Sequence, residues 1–108
     1  MLKKVSVISI LATTLLLVGC SAPKPKVIEK QVFTNPTTQQ GYPVDRCYTW
    51  AKNCDKPVAD AICRANGYEY SLTSSSEPKN PTQLLTGRMC KANYCKAITY
   101  VECAREKR

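Results

Sequence analysis

From Val5 to Val18 the chain is apolar for 14 residues, broken only by Ser and Thr, and the run stops at Gly19-Cys20. Lys3 and Lys4 precede it. A positive start, an apolar middle and a small residue at the end form the pattern of a secretory signal peptide over residues 1–19. A membrane-crossing helix needs about 20 apolar residues, and Pro23, Lys24, Pro25 and Lys26 end this run too soon. Residues 20–41 then turn polar, rich in Pro, Lys, Thr and Gln, with Val27-Ile28 and Val32-Phe33 as the apolar pairs. That composition predicts a flexible tether behind Cys20, reaching on the order of 60 Å at most when extended. A lesser alternative is that Val32 and Phe33, by their β propensity, add an edge strand to the module that follows.

Residues 42–103 carry the regular patterns. Tyr42 to Trp50 is aromatic and β-favouring, bounded by Gly41 and a polar turn, and reads as a strand or extended segment. Asp55 is placed to cap a helix, with Pro57 in its first turn, Val58, Ala59, Ala61, Ile62 and Cys63 inside, and Asn66-Gly67 as its stop. Tyr68 to Leu72 is a short strand, Thr73 to Pro81 a surface loop, and Thr82 to Gly87 another short strand. Met89-Cys90 and Lys96 to Cys103 are expected to close the module as a hairpin, leaving residues 104–108 as a basic tail. The fold class expected is a small disulfide-rich α+β domain, one short helix packed on a small antiparallel sheet.

Cys47, Cys54, Cys63, Cys90, Cys95 and Cys103 fall within these 62 residues. A domain this short buries too little apolar surface to be stable without staples. In an exported chain an even cysteine count reads as a disulfide framework, here three bridges worth about 2 to 4 kcal/mol each. The pairing stays open, with Cys90 and Cys95 favoured as partners because Lys91-Ala92-Asn93-Tyr94 between them suits a short turn. Metal is disfavoured, since the chain has no His and no Cys-x-x-Cys. The same lack argues against a thioredoxin-type redox site. No cofactor is implied.

Leu17-Val18-Gly19-Cys20 resembles the lipobox of bacterial lipoproteins. The resemblance implies cleavage before Cys20, a diacylglyceryl group on its thiol and acylation of the new amino terminus. Two or more acyl chains hold a protein on a bilayer where one does so marginally. The partner implied is therefore a lipid bilayer, and the place a bacterial cell envelope. Ser21, where lipoproteins retained in the inner membrane of enteric bacteria often carry Asp, favours the outer membrane if the host has one; otherwise the outer face of the plasma membrane is expected.

The net charge of +8 becomes +6 once residues 1–19 are set aside. Residues 20–41, 42–103 and 104–108 each carry +2, so the excess is concentrated at the two ends. A nucleic-acid binder would place its basic patch on the folded module, and nucleic acid is excluded as a partner. Basic ends suit anionic lipid or surface polymers.

A second resemblance covers residues 42–103. Asp45-Arg46-Cys47-Tyr48-Thr49-Trp50, Cys54, Pro57, Ala59, Cys63 and Gly67-Tyr68, then Thr86-Gly87-Arg88-Met89-Cys90, Cys95, Ile98, Val101 and Cys103, resemble a small secreted six-cysteine domain of bacterial and plant extracellular proteins. Ala51 and Asp55 stand where that family commonly has Gly, Val58 where it has Ala, and Ile62 and Ile98 where it has Phe. The resemblance implies fold and secretion, and it brings no catalytic set.

Binding is the function class the remaining residues favour. Trp50, with Tyr48, Tyr68, Tyr70, Tyr94 and Tyr100, makes a large aromatic set for one small module. Flat rings beside Asp45, Arg46 or Asn93 can stack on a glycan or anchor a protein partner. Trp50 is expected in the core beside Cys47, Tyr94 exposed in the Cys90–Cys95 turn, and Tyr94, Trp50 and Arg46 are the candidate contacts. A purely structural envelope lipoprotein is the alternative. A small hydrolase working through Asp45, Asp55, Asp60, Glu69, Glu77, Glu102 or Glu106 is disfavoured, because solvated or paired carboxylates are the rule.

Overall fold

The computed structural model describes residues 26–107; the expected signal peptide and Cys20 lie outside the described residues. The chain forms a small disulfide-rich α+β fold. Its elements in order are β1 (Ile28–Thr34), β2 (Cys47–Thr49), β3 (Lys52–Cys54), α1 (Lys56–Ala65), β4 (Tyr70–Pro78), β5 (Thr82–Gln83), β6 (Met89–Cys90) and β7 (Lys96–Glu106). The main sheet has the antiparallel order β1-β7-β4, and β2-β3 and β5-β6 are two small antiparallel pairs.

β7 is the centre of this arrangement because KAITYVECARE supplies β-branched and aromatic residues and can be buried along most of its length. One face of the sheet is covered by α1. Val58, Ala59, Ile62 and Cys63 of the helix are buried against Ile98, Val101 and Cys103 of β7, with Val44 completing the cluster and Phe33 and Tyr68 packed at its edge. Ile98 and Val101 reach the same core although three positions apart, because the register slips between Ser75 and Ser76 of β4 and inserts an extra β7 residue at Thr99.

Three disulfides form: Cys47–Cys54, Cys63–Cys103 and Cys90–Cys95. The favoured Cys90–Cys95 pair is thus correct. Cys63–Cys103 staples the helix to the central strand. Asp60 ties the same helix to β4: its Oδ1 accepts from Ser71 N–H at 2.7 Å, Ser71 Oγ–H at 2.6 Å and Lys56 Nζ at 2.8 Å.

Several expectations need correction. The tether does not run to residue 41. Residues 28–34 are paired with β7 from Ile28↔Glu106 to Thr34↔Tyr100, so the edge-strand alternative is the one realised. The physical reason is the open edge of β7, whose backbone groups would otherwise lack partners. The same pairing turns residues 104–106 from a tail into strand. Residues 73–78, read as loop from their serines, extend β4, because the backbone ladder to β7 needs no apolar side chain on the solvent side. β6 pairs with β5, not with β7. Asp55 sits at the N-cap of α1, and its carbonyl accepts from Ala59 N–H at 2.8 Å, but its side chain makes no cap bond.

Chain-entropy reasoning ranks the bridges by loop length. With sequence separations of 40, 7 and 5, loss of Cys63–Cys103 should cost about 4 kcal/mol and loss of either other bridge about 2 kcal/mol. Urea unfolding of the three paired Cys→Ala variants checks this order.

Candidate functional site

Two short disulfide loops and one buried carboxylate build the end of the molecule where β7 begins. Residues 43–46 run extended between β5 and β7: Asp45 N–H donates to Gln83 O, Ile98 N–H to Val44 O and Arg46 N–H to Lys96 O, each at 2.9 Å. Asp45 is only 6% exposed. Its Oδ1 accepts from Cys47 N–H at 2.9 Å and its Oδ2 from the Thr82 hydroxyl at 2.5 Å. A buried carboxylate bonded through both oxygens holds β2 against β5.

Above this floor lies a cavity of about 230 Å³. Asp45, Arg46, Trp50, Ala51, Tyr94 and Lys96 line it together with Leu84 and the cysteines Cys47, Cys90 and Cys95. Leu84, Cys90 and Cys95 form a small apolar cluster of their own, with Ala92 against it. The three residues singled out from the sequence therefore converge on one cavity. Trp50 and Tyr94 stand edge to face, with ring centroids 6.3 Å apart and planes at 81°. The Arg88 guanidinium lies over the Trp50 ring, 4.6 Å from its centroid, a cation–π contact that fixes the indole.

Trp50 is not a core residue, contrary to expectation. It is 41% exposed, while Tyr94, exposed as expected, reaches 66%. Trp50-Ala51 is the turn between β2 and β3, where Thr49 pairs with Lys52. A residue at the tip of so short a hairpin, closed behind by Cys47–Cys54, has no route back to the core. The hairpin holds its shape with positive φ at Ala51 (60°), Asn53 (54°) and Asp55 (68°). Asn and Asp tolerate that region better than Ala does. Ala51 lines the cavity, so its positive φ stores backbone strain in the cavity wall.

Arg46 is held by a bidentate pair with Asp55, Nε to Oδ1 at 3.1 Å and Nη2 to Oδ2 at 2.8 Å. The hydrogen bonds from Arg46 keep the Asp55 carboxyl below the usual carboxylate range, against burial and with added attraction from Arg46 and Lys96. Arg46 itself is raised. Its guanidinium lines the cavity. Among the described residues Lys96 and Arg88 have no ion-pair partner. Neither was singled out from the sequence; the one signal was their position beside the cysteines that close the Tyr94 loop.

Two larger concavities, of about 500 and 710 Å³, lie elsewhere. Thr38, Gln40 and Gln83 in the wall of the first bond one another: the Thr38 hydroxyl donates to Gln83 Oε1, and Gln83 Nε2 to Gln40 Oε1. Neither brings two aromatic rings together. Among the described residues no group of three His, Cys, Asp or Glu is placed to hold a metal ion, and no helix is long and apolar enough to cross a membrane. No family model, curated protein or solved structure matches the chain.

Two outcomes follow from the local geometry. Ala51→Gly should stabilise the domain by about 1 kcal/mol, because glycine adopts positive φ without the Cβ clash; denaturant titration checks it. Asp55 and Asp60 both titrate below the unfolded carboxylate range. Arg46 lowers Asp55, and for Asp60 the bonds from Lys56 and Ser71 outweigh a burial that pushes the other way. Their stabilisation is complete above about pH 5 and is lost as pH falls through the unfolded value and then the lower folded values. Asp55→Asn with Asp60→Asn should flatten that acid limb of the stability curve.

Proposed function

We propose that this chain is a lipid-anchored lipoprotein of the bacterial cell envelope whose six-cysteine module binds glycan in the cavity between Trp50 and Tyr94. The observation that carries the reading is the convergence of Trp50 and Tyr94, from two loops each closed by a disulfide, with Arg46 on one cavity. Small-molecule sites combine apolar walls with a few convergent polar groups, and here two rings supply the walls while Arg46 and Lys96 supply donors. At about 230 Å³ the space is below the roughly 300–1,000 Å³ of drug-sized sites, which suits a single sugar ring with the rest of the chain outside.

Rings standing edge to face give a sugar a flat surface for its C–H face and an edge for its rim. Binding is favoured over hydrolysis by the commitments of the nearby acids: Asp45 lines the cavity but is 6% exposed and bonded through both oxygens to Cys47 N–H and the Thr82 hydroxyl, and Asp55 is locked to Arg46. No pair of carboxylates faces the cavity to divide acid and base roles.

Cys20 lies outside the described residues, and the anchor rests on Leu17-Val18-Gly19-Cys20 with the apolar run and basic start before it. Intact mass of the native protein should show Cys20 as the acylated first residue, with none of the other six cysteines open to alkylation. Retained residues 1–19 would contradict it.

The binding test is a titration of the mature protein with purified envelope polysaccharides, followed by emission of Trp50, the one tryptophan of the chain. Saturable change is expected, weakened at least about tenfold by Tyr94→Ala, which corresponds to about 1.4 kcal/mol. Tyr94 is largely exposed, so the variant should keep its fold. An emission change no larger than that of a reduced, unfolded control removes the glycan reading and leaves a purely structural role or a protein partner.

A further inference from the structure

We infer that the end of the main sheet opposite the cavity is a lipid-contact surface for anionic headgroups, which holds the module upright with the cavity facing away from the bilayer. This rests on the lipid anchor at Cys20 proposed above. In the sequence the basic excess is divided between two distant ends. The antiparallel pairing of β1 with β7 brings those ends together: Ile28 faces Glu106, and Lys107 N–H donates to Val27 O at 2.8 Å. Arg64, Arg105 and Lys107 line a shallow concavity there with Glu29, Glu69 and Glu106; Lys26 reaches its rim at Glu106, and Lys30 stands beside it on the other face of β1.

Two ion pairs form within the pole, each using one base and one acid, so its excess stays at two positive charges. Arg105 bonds Glu29 at 2.9 Å, and Lys26 pairs with Glu106 at 3.5 Å. Lys24 and Arg108 add two more positive charges in the adjoining sequence. Beside them Val27 and Ile28 are 54% and 42% exposed. Exposed aliphatics flanked by lysines are the composition of an interfacial contact.

Chain length fixes which end meets the lipid. Six residue steps separate Cys20 from Lys26, and at about 3.3–3.6 Å per residue they span at most roughly 20 Å. The freely reaching tether of the composition argument is therefore reduced to a short leash. β7 has 11 residues, which at about 3.3 Å each separate its two ends by roughly 30 Å. Lys96 at its start lines the cavity, and Glu106 at its end lines the basic pole. A lipid attached at Cys20 thus pulls down the pole opposite the cavity.

The single tryptophan makes the arrangement measurable. The mature lipidated protein is reconstituted in vesicles of phosphatidylethanolamine and phosphatidylglycerol carrying a headgroup-level nitroxide quencher. Trp50 emission should be almost unchanged. Ile28→Trp in a Trp50→Phe background should lose at least about half its emission, since interfacial side chains sit about 5–10 Å into the boundary. Lys26→Glu with Lys30→Glu and Lys107→Glu, or replacement of the anionic lipid by phosphatidylcholine, should restore most of that emission while the protein still floats with the vesicles. Strong quenching of Trp50, or quenching at position 28 that ignores lipid charge, overturns the inference and leaves the anchor intact. Failure of the unaltered mature protein to float overturns the anchor and the inference together. The unaltered chain's Trp50 supplies its half of the comparison even if the double substitution misfolds.

Discussion

The structure depends on β7 being paired on both edges. A central strand with β1 on one side and β4 on the other satisfies its backbone groups along its length, and only then can its core-facing residues accept the helix. Cys63–Cys103 fixes that contact covalently. Without β1, the described chain would present a long unpaired edge beside a two-stranded ribbon, a poor platform for α1.

β7 also divides the molecule into two ends of different character. At Glu106 the backbone is regular, the chain's described termini meet, and the side chains are mostly charged. At Lys96 the structure is irregular, built from turns of a few residues held by Cys47–Cys54, Cys90–Cys95 and the buried Asp45 carboxylate. Loops positioned by a rigid scaffold are where proteins commonly place recognition. Here positive φ at Ala51 and Asp55, together with the Arg46–Asp55 pair, sets the hairpin that presents Trp50. The strained backbone and the exposed ring belong to one device.

Much of this was legible from residues alone. Proline near the helix start, the apolar positions from Val58 to Cys63 and the Asn66-Gly67 stop located α1 closely, because capping and periodicity are local signals. The Cys90–Cys95 pair was legible for the same reason. What escaped was what another segment decides. Residues 28–34 and 73–78 look polar and loop-like in isolation, and they become strands because β7 offers its edges. Trp50 looked like core from its size and its neighbour Cys47, yet the hairpin turn carries it outward. Arg46, Trp50 and Tyr94 were each visible as candidates, but their meeting in one cavity, with Lys96 and Arg88 beside them, required the fold.

Amide hydrogen exchange of the native protein across residues 26–41 tests the central role of the β1–β7 pairing most directly. The account predicts that amides of Ile28–Thr34 donating into the ladder exchange with protection close to that of β7, and that protection falls off in residues 39–41. Exchange of residues 28–34 at the rate of an unstructured chain would contradict it, returning that segment to a tether and parting the two basic ends.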